Sequence, residues 1–346
     1  MIITLKDGSK KEYAEAKSVY DIAMDISEGL ARVACAGEIN GEVVDLRTVI
    51  DKDCELNILT FDSEGGKAAF RHTASHIMAQ AIKRLYPETK LAIGPSIKDG
   101  FYYDFDVEKP FTAEDLSKIE TEMKKIVKEG LPLEQFEMSP QDAIKYLEDA
   151  QEPYKVELCK EHADKNEPIS FYRQGDFTDL CAGPHLMTTA PVKAFKLISS
   201  TGAYWRGSEK NKMLCRIYAT AYPKASQLEE ELKRREDAKL RDHNKLGREL
   251  ELFTTVDVIG QGLPIMLPKG ARVIQLLQRF VEDEEEKRGY LLTKTPFMAK
   301  SDLYKISGHW GHYKEGMFIL GDEEKDKEVF ALRPMTCPFQ YQVFLN

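Results

Sequence analysis

The sequence predicts an α+β chain of several domains, on three observations. Its 346 residues exceed what one ordinary domain holds. A composition of 42% hydrophobic and 31% charged residues is that of a globular protein with enough apolar content for real cores. Amphipathic helices and strand-like stretches are interspersed along its length.

Residues 1–61 read as a small mixed module. An apolar start "MIITL" and a turn at "KDG" precede a short helix from Ser18, with Val19, Ile22, Ala23 and Ile26 on one face. Then come an Asn40-Gly41 hairpin signal and the apolar stretch "LNILTF", an order that suits a β-grasp, ubiquitin-like unit. The polar, glycine-bearing "DSEGGKA" reads as a linker.

Residues 62–224 form an α+β block. Thr112 caps a helix carrying Leu116, Ile119, Met123, Ile126 and Val127, and Ser139-Pro140 starts another. "ISFYR", "AFKLISS" and "MLCRIYATAY" are its strand candidates. Residues 225–241 read as a charged linker helix; the basic stretch from Lys233 to Arg248 is either a solvated face or a surface for an RNA backbone. In residues 242–346, "GARVIQLLQRFVEDEEEKRGY" is an amphipathic helix stopped by Gly289, followed by a strand "YLLTK". The apolar run "CPFQYQVFLN" reads as an interrupted element, as though the chain were cut at Asn346.

No apolar run approaches the roughly 20 residues that cross a bilayer, and the start lacks a signal peptide's apolar stretch, so a cytoplasmic location without membrane contact is expected. Six cysteines without a CxxC pair read as reduced thiols. A formal charge of −9 argues against gathering nucleic acid by bulk attraction, so any RNA contact must be local.

Two short motifs hold the chemistry. "FRHTASHIMAQ" spaces His72 and His76 four apart, as "DLCAGPH" does Cys181 and His185. On a helical wheel both histidines fall opposite the apolar stripe of Phe70, Ile77, Met78, Ala81, Ile82 and Leu85, so they are expected to face water or line a cleft and not to support the core. HxxxH with CxxxH supplies four side chains of the types that hold tetrahedral zinc. The pattern alone leaves open a metal site, a metal-free hydrolytic site, a Cys181 nucleophile and chance pairing.

"RHTASHIMAQAI", "AIGPSIKDGFYYDFD", "EPYKVEL", "DLCAGPH" and "TGAYWRGSEKNKMLCRIYATAY", in this order, resemble the editing domain of the bacterial threonyl-tRNA synthetase family. Residues 1–61 resemble that family's TGS domain, and residues 242–346 the beginning of its class II catalytic domain, an antiparallel-sheet fold left incomplete here. The resemblance implies ATP-dependent attachment of threonine to tRNA-Thr, with hydrolytic editing of mischarged seryl-tRNA-Thr. It implies an editing pocket of His72, His76, Tyr103, Lys155, Asp179, Cys181 and His185 that works without metal, although related alanyl-type domains hold zinc with the same pattern. Cys337 of "RPMTCP" matches a catalytic zinc ligand whose two histidine partners would lie beyond Asn346, as would the motifs that bind ATP with Mg2+. Phe339-Gln340 departs from the Gly-His pair many members carry there. "RGYLLTKTP" fits the motif at the homodimer interface. Editing is therefore expected of this chain, and ligation is not.

The chemistry explains two sites. A hydroxyl-binding site rejects valine strongly, but serine differs from threonine by one methyl, worth about 1–3 kcal/mol in a pocket. The rival readings are a free-standing tRNA deacylase acting in trans, for which residues 262–340 would be superfluous, and a noncatalytic TGS-type RNA-binding or regulatory protein.

Overall fold

The computed structural model describes residues 1–163 and 169–346, which form two compact units, Met1–Lys239 and Leu240–Asn346.

The first unit begins with strands β1 (Ile2–Leu5), β2 (Lys10–Glu12), β3 (Ala34–Ile39), β4 (Glu42–Val44) and β5 (Cys54–Thr60). They form one sheet in the order β2-β1-β5-β3-β4, with β1 and β5 parallel and the other pairs antiparallel. Asn40 and Gly41 both take positive φ, the geometry of a two-residue turn that follows strand twist. Helix α1 (Val19–Ile26) is capped by the Ser18 hydroxyl, which accepts the Asp21 N–H, and buries Val19, Ile22 and Ala23 against the sheet.

The expected linker at residues 62–68 is instead the entry to the long helix α2 (Glu64–Leu85). Ser63 caps it by accepting the Gly66 N–H, and the two glycines follow from close packing, not flexibility. A Cβ on Gly66 would stand 1.9 Å from the Thr60 carbonyl oxygen. One apolar core runs without a break from Cys35, Ala36 and Leu59 of the first sheet, through Phe61 just beyond it, into α2 and the layer beyond.

That layer is a second, antiparallel sheet. Its three long strands β6 (Gly100–Asp106), β10 (Ala194–Tyr204) and β11 (Met213–Tyr222) run in the order β10-β11-β6, and the short strands Lys90–Leu91 and Ser96–Ile97 both pair with β6. Between them in sequence lie α3 (Ala113–Glu129), closed by a Thr112–Asp115 capping box, and a smaller sheet. The smaller sheet is β7 (Leu133–Met138), β8 (Ile169–Gln174) and β9 (Phe177–Leu180), paired in that order. Helices α4 (Pro140–Asp149) and α5 (Pro153–Ala163) bring Ala143, Leu147 and Cys159 into one small core with Ile169 and Phe171.

Helix α2 thus has layers on both sides. Ala74, Ile77, Met78, Ala81 and Ile82 pack on Phe101, Phe105 and Ile217 of the large sheet. Its polar side is buried too: Gln80 and Gln174 exchange amide hydrogen bonds, and Thr73 receives the Leu186 N–H. The helical wheel located the apolar stripe, but His76 is only 2% exposed, so the opposite face meets protein and not water.

Helix α6 (Ala225–Leu240) closes the unit. Arg234 and Arg235 both clasp the buried Glu231, and Arg235 also donates to the Asp99 carbonyl, so two residues of the basic stretch, read as either a solvated face or a surface for RNA, are tied to their own domain. In the second unit, α7 (His243–Glu249) precedes α8 (Pro268–Lys287), with Gly289 at φ 85° just beyond α8. Strands Met298–Lys300, Phe330–Leu332 and Ile319–Leu320 form a small antiparallel sheet. "YLLTK" is not a strand: nothing among the described residues pairs with it, and Leu291 is 91% exposed.

Gly66→Ala separates close packing from flexibility. Alanine improves helix propensity by about 1 kcal/mol, yet the overlap with Thr60 forces the helix entry to shift, costing about 1–3 kcal/mol. Urea unfolding is expected to show net destabilisation; a more stable variant would contradict the packing described.

Candidate active site

The large sheet, α2, α5 and the segment after β9 converge on one cluster. Helix α2 presents His72 and His76 one turn apart, with ring centroids 5.3 Å from each other. The His185 ring sits 4.2 Å from each of them and 4.4 Å from the Tyr172 ring. Cys181 closes the group, its Sγ 3.3 Å from His72 Nε2 and 3.1 Å from His185 Nε2. Tyr103 of β6, Lys155 of α5 and Asp179 of β9 lie beside it: Lys155 Nζ is 2.7 Å from Asp179 Oδ1, and the Tyr103 hydroxyl donates to Asp179 Oδ2 at 2.6 Å. His76 Nε2 is 3.6 Å from the same Oδ2. All seven side chains expected to share a pocket lie in this one cluster; Cys337 lies in the second unit, exposed at the start of a helix, and belongs to no group of three or more potential metal ligands among the described residues.

Local geometry explains the DLCAGPH turn. Gly183 has φ 74°, and a Cβ there would stand 2.3 Å from the Tyr172 hydroxyl, so only glycine lets the turn pass so close. The Gly183 N–H donates to Cys181 Sγ at 3.3 Å. The Thr73 hydroxyl donates to the Ala69 carbonyl and accepts the Leu186 N–H, which leaves it an acceptor toward His185 Nδ1 at 3.2 Å. His185 therefore carries its proton on Nδ1 and turns the Nε2 lone pair toward Cys181.

Electrostatics divide the cluster into one ion pair and a neutral remainder. Burial drives His72 down to about 4, against the pull of Asp179 and the Pro184 carbonyl. Burial likewise drives His76 to about 3, and holds His185 well below the ordinary imidazole value, with His72, His76 and Arg47 adding to it. The Cys181 thiol is pushed up to about 12 by burial, so it is not a thiolate near neutrality. For Asp179 burial acts upward, but Lys155, His76 and the bonds from Lys155 and Tyr103 outweigh it and keep the carboxyl below its usual range.

The cluster is also layered. Tyr103, His76, Lys155, Asp179 and His185 are each at most 4% exposed, whereas His72 and Cys181 are half-buried and form the accessible face. Lys155 and Asp179 also line a cavity of about 360 Å3 whose wall includes Gln80, Lys83, Arg84 and Glu152.

The four donor atoms of His72, His76, Cys181 and His185 lie within 4.8 Å of one another, compact enough for a metal ion. The sulfur–nitrogen separations of 3.1 and 3.3 Å are nevertheless those of thiol–imidazole hydrogen bonds, shorter than the edge of about 3.6 Å in a tetrahedral zinc site. Sequence reasoning missed Thr73, Tyr172, Asp45 and Arg47, which orient the cluster from outside; "VVDLRT" carries no motif, and only the alternation of "ISFYR" hinted that Tyr172 faces away from Phe171.

Comparison with known proteins gives these residues a family. Residues 1–60 match the TGS domain, and residues 169–218 match the threonyl and alanyl tRNA synthetase second additional domain. The class is thus a TGS unit joined to a synthetase accessory domain, and Asp179, Cys181 and His185 fall inside the second match. More particularly, the chain is similar to threonine-tRNA ligases. It is 63% identical over 342 residues to threonine-tRNA ligase of Clostridium perfringens, a match covering 99% of this chain and 53% of that one. It is 64% identical to that of Clostridium botulinum and 56% to that of Acetivibrio thermocellus, covering 53% and 52% of those proteins. The chain spans about half the length of the curated relatives it matches. Among solved structures, the RNA binding domain of threonyl-tRNA synthetase from Cryptosporidium parvum aligns at 38% identity over 30% of this chain and 26% of that one, with TM-score 0.28.

Neutral buried imidazoles make stability depend on pH. Histidine titrates near 6.5 in the unfolded chain, above the folded values of about 4 and 3 for His72 and His76. Between those limits the unfolded state binds more protons, so their contribution is full above about pH 6.5 and is lost as pH falls toward the folded values. Asp179 adds loss only below about pH 4, where the unfolded carboxyl protonates. Unfolding free energy from urea titrations should drop by a few kcal/mol between pH 6.5 and 4.5; a flat profile there would contradict the neutral cluster.

Proposed function

We propose that this cluster hydrolyses the ester of mischarged seryl-tRNA-Thr, as the editing site of a threonine-tRNA ligase. The observation that carries the reading is the layering: an accessible His72–Cys181 face backed by a buried Lys155–Asp179 pair and two buried imidazoles. Hydrolysis forms a bond from water oxygen to the ester carbonyl carbon and breaks the bond to the ribose oxygen, which takes up a proton as serine leaves. A protonated thiol does not attack, so Cys181 binds and orients instead of forming an acyl-enzyme. His72, unprotonated above about pH 4, offers a lone pair to orient the attacking water, while the Lys155 ammonium supplies the positive field for the developing oxyanion.

The whole-protein assignment extends this. Residues 1–61 would be a β-grasp TGS domain, 62–224 the editing domain, 225–241 a linker helix and 242–346 part of a class II catalytic domain. The full enzyme would join threonine to tRNA-Thr with ATP and Mg2+ in the cytoplasm. Cys337 alone does not make a zinc site in the described residues. Homodimerisation would cover the α8 face, where Leu277 is 58% and Phe280 63% exposed.

Burial also refines what each substitution reads. His72→Ala removes a half-buried group. Lys155→Ala strands the Asp179 carboxylate, costing about 3–5 kcal/mol, so fold loss must be measured beside activity. Nor is His76 neutral to packing, as its ring sits inside the cluster.

The test is single-turnover deacylation at low salt with excess protein. Seryl-tRNA-Thr should be cleaved on the order of a hundredfold faster than threonyl-tRNA-Thr, with His72→Ala slowing cleavage comparably while retaining its melting transition. Equal hydrolysis of both, or full activity in His72→Ala, would sink the assignment. The compact donor set favours one alternative, a zinc-held site, and stoichiometric zinc lost in Cys181→Ala would establish it.

A further inference from the structure

The loop after β4 reaches out of the first sheet and grips the editing cluster. Leu46 is fully buried in the core of the first sheet, and its carbonyl accepts the Tyr20 N–H, so the loop is fixed to its own domain. The two charged residues flanking it point the other way. Asp45, 7% exposed, takes the Arg47 N–H and guanidinium on Oδ1, both at 2.8 Å. On Oδ2 it accepts the Tyr172 hydroxyl and the His185 backbone N–H, both at 2.9 Å. Arg47 donates to the carbonyls of Leu133, Leu186 and Met187, the last two at 2.9 and 3.4 Å, and to that of His185 at 3.4 Å.

These contacts fix the parts of the cluster that α2 cannot. His185 follows the Gly183-Pro184 turn and lies outside any regular element, so no helix or strand ladder sets its backbone. Its N–H is held by Asp45, its carbonyl by Arg47, and its ring by Thr73 on one side and Tyr172 on the other. Tyr172 is itself held by Asp45. One carboxylate therefore sets both the His185 backbone and the ring that packs on it, through charge-assisted bonds in a buried place.

We propose that Asp45 and Arg47 of the first domain are positioning residues for hydrolysis, setting His185, and through it Cys181, in register with His72. The inference rests on the editing reading of the cluster. It gives the TGS-matched domain a part in the chemistry of its neighbour that needs no RNA contact of its own.

The test uses the 346-residue chain with Asp45→Ala, Arg47→Ala and, as a control elsewhere in the same domain, Asp25→Asn, which breaks the exposed pair with Lys17. Two quantities are read: kcat and KM for seryl-tRNA-Thr deacylation, and the 15N resonances of the His185 ring. Asp45→Ala and Arg47→Ala should each lower kcat at least about 10-fold with KM within about 2-fold, because a misplacement near 1 Å costs up to a hundredfold. The His185 resonances should move in both and stay put in Asp25→Asn. Should Asp45→Ala lose its folded signal, Asp45→Asn, which keeps the volume and one acceptor oxygen, decides on the same two readings. Folded variants with unchanged kcat and unmoved His185 resonances would overturn the proposal, as would an equal loss in Asp25→Asn. If wild type fails to deacylate, or His72→Ala is fully active, the editing reading has failed; the His185 resonances alone then judge whether Asp45 positions that ring.

Discussion

A carboxylate taken out of water must find positive charge or several donors, and Asp179 finds both in Lys155 and Tyr103. The closure of that pair lets everything around it stay uncharged. With the ammonium and carboxylate joined at 2.7 Å, neither needs an imidazolium or a thiolate as partner, and three histidines and a cysteine pack within hydrogen-bonding reach as neutral groups. Three elements must meet for the pair to form: β9 for Asp179, α5 for Lys155 and β6 for Tyr103. The architecture of the first unit can be read as the means of bringing those three to the polar side of α2.

That side of α2 joins fold to function. The helix is buried on both faces, so its apolar stripe anchors it to the large sheet while His72, Thr73, His76 and Gln80 are presented to β8, β9 and the turn beyond. A histidine placed that way is desolvated without being surrounded by hydrocarbon, which depresses its basicity yet leaves its lone pair usable. His72 and Cys181 are the most exposed members of the cluster, Lys155 and Asp179 border the neighbouring cavity, and all are held from several directions. The grip of Asp45 and Arg47 extends the same logic to the first sheet, whose Leu59 already shares one apolar core with Phe61 and Phe70.

Much of this was legible in the sequence, for identifiable reasons. Caps at Ser18, Thr112 and Ser139 are local signals, and each starts a helix where local chemistry requires. HxxxH and CxxxH were legible as partners because their residue types share a chemistry. The "DSEGGKA" stretch misled because glycine serves close approach as well as flexibility, and only the Thr60 carbonyl tells which applies. The wheel left open whether the histidines face water or line a cleft, because amphipathicity reports two unlike environments, not which of them is water. "YLLTK" misled because strand propensity supplies no pairing partner. The Asp45–His185 contact spans 140 residues and leaves no periodic trace, so no reading of local pattern could find it.

The central claim is that the cluster contains one ion pair and otherwise neutral groups. Nitrogen-15 and carbon-13 NMR on the labelled chain at pH 6 tests it most directly, since ring nitrogen shifts separate imidazole from imidazolium and the carboxyl carbon shift reports ionisation. The account predicts His72, His76 and His185 all neutral, with His185 protonated on Nδ1 and Asp179 ionised. An imidazolium at any of the three, or a protonated Asp179, would contradict it.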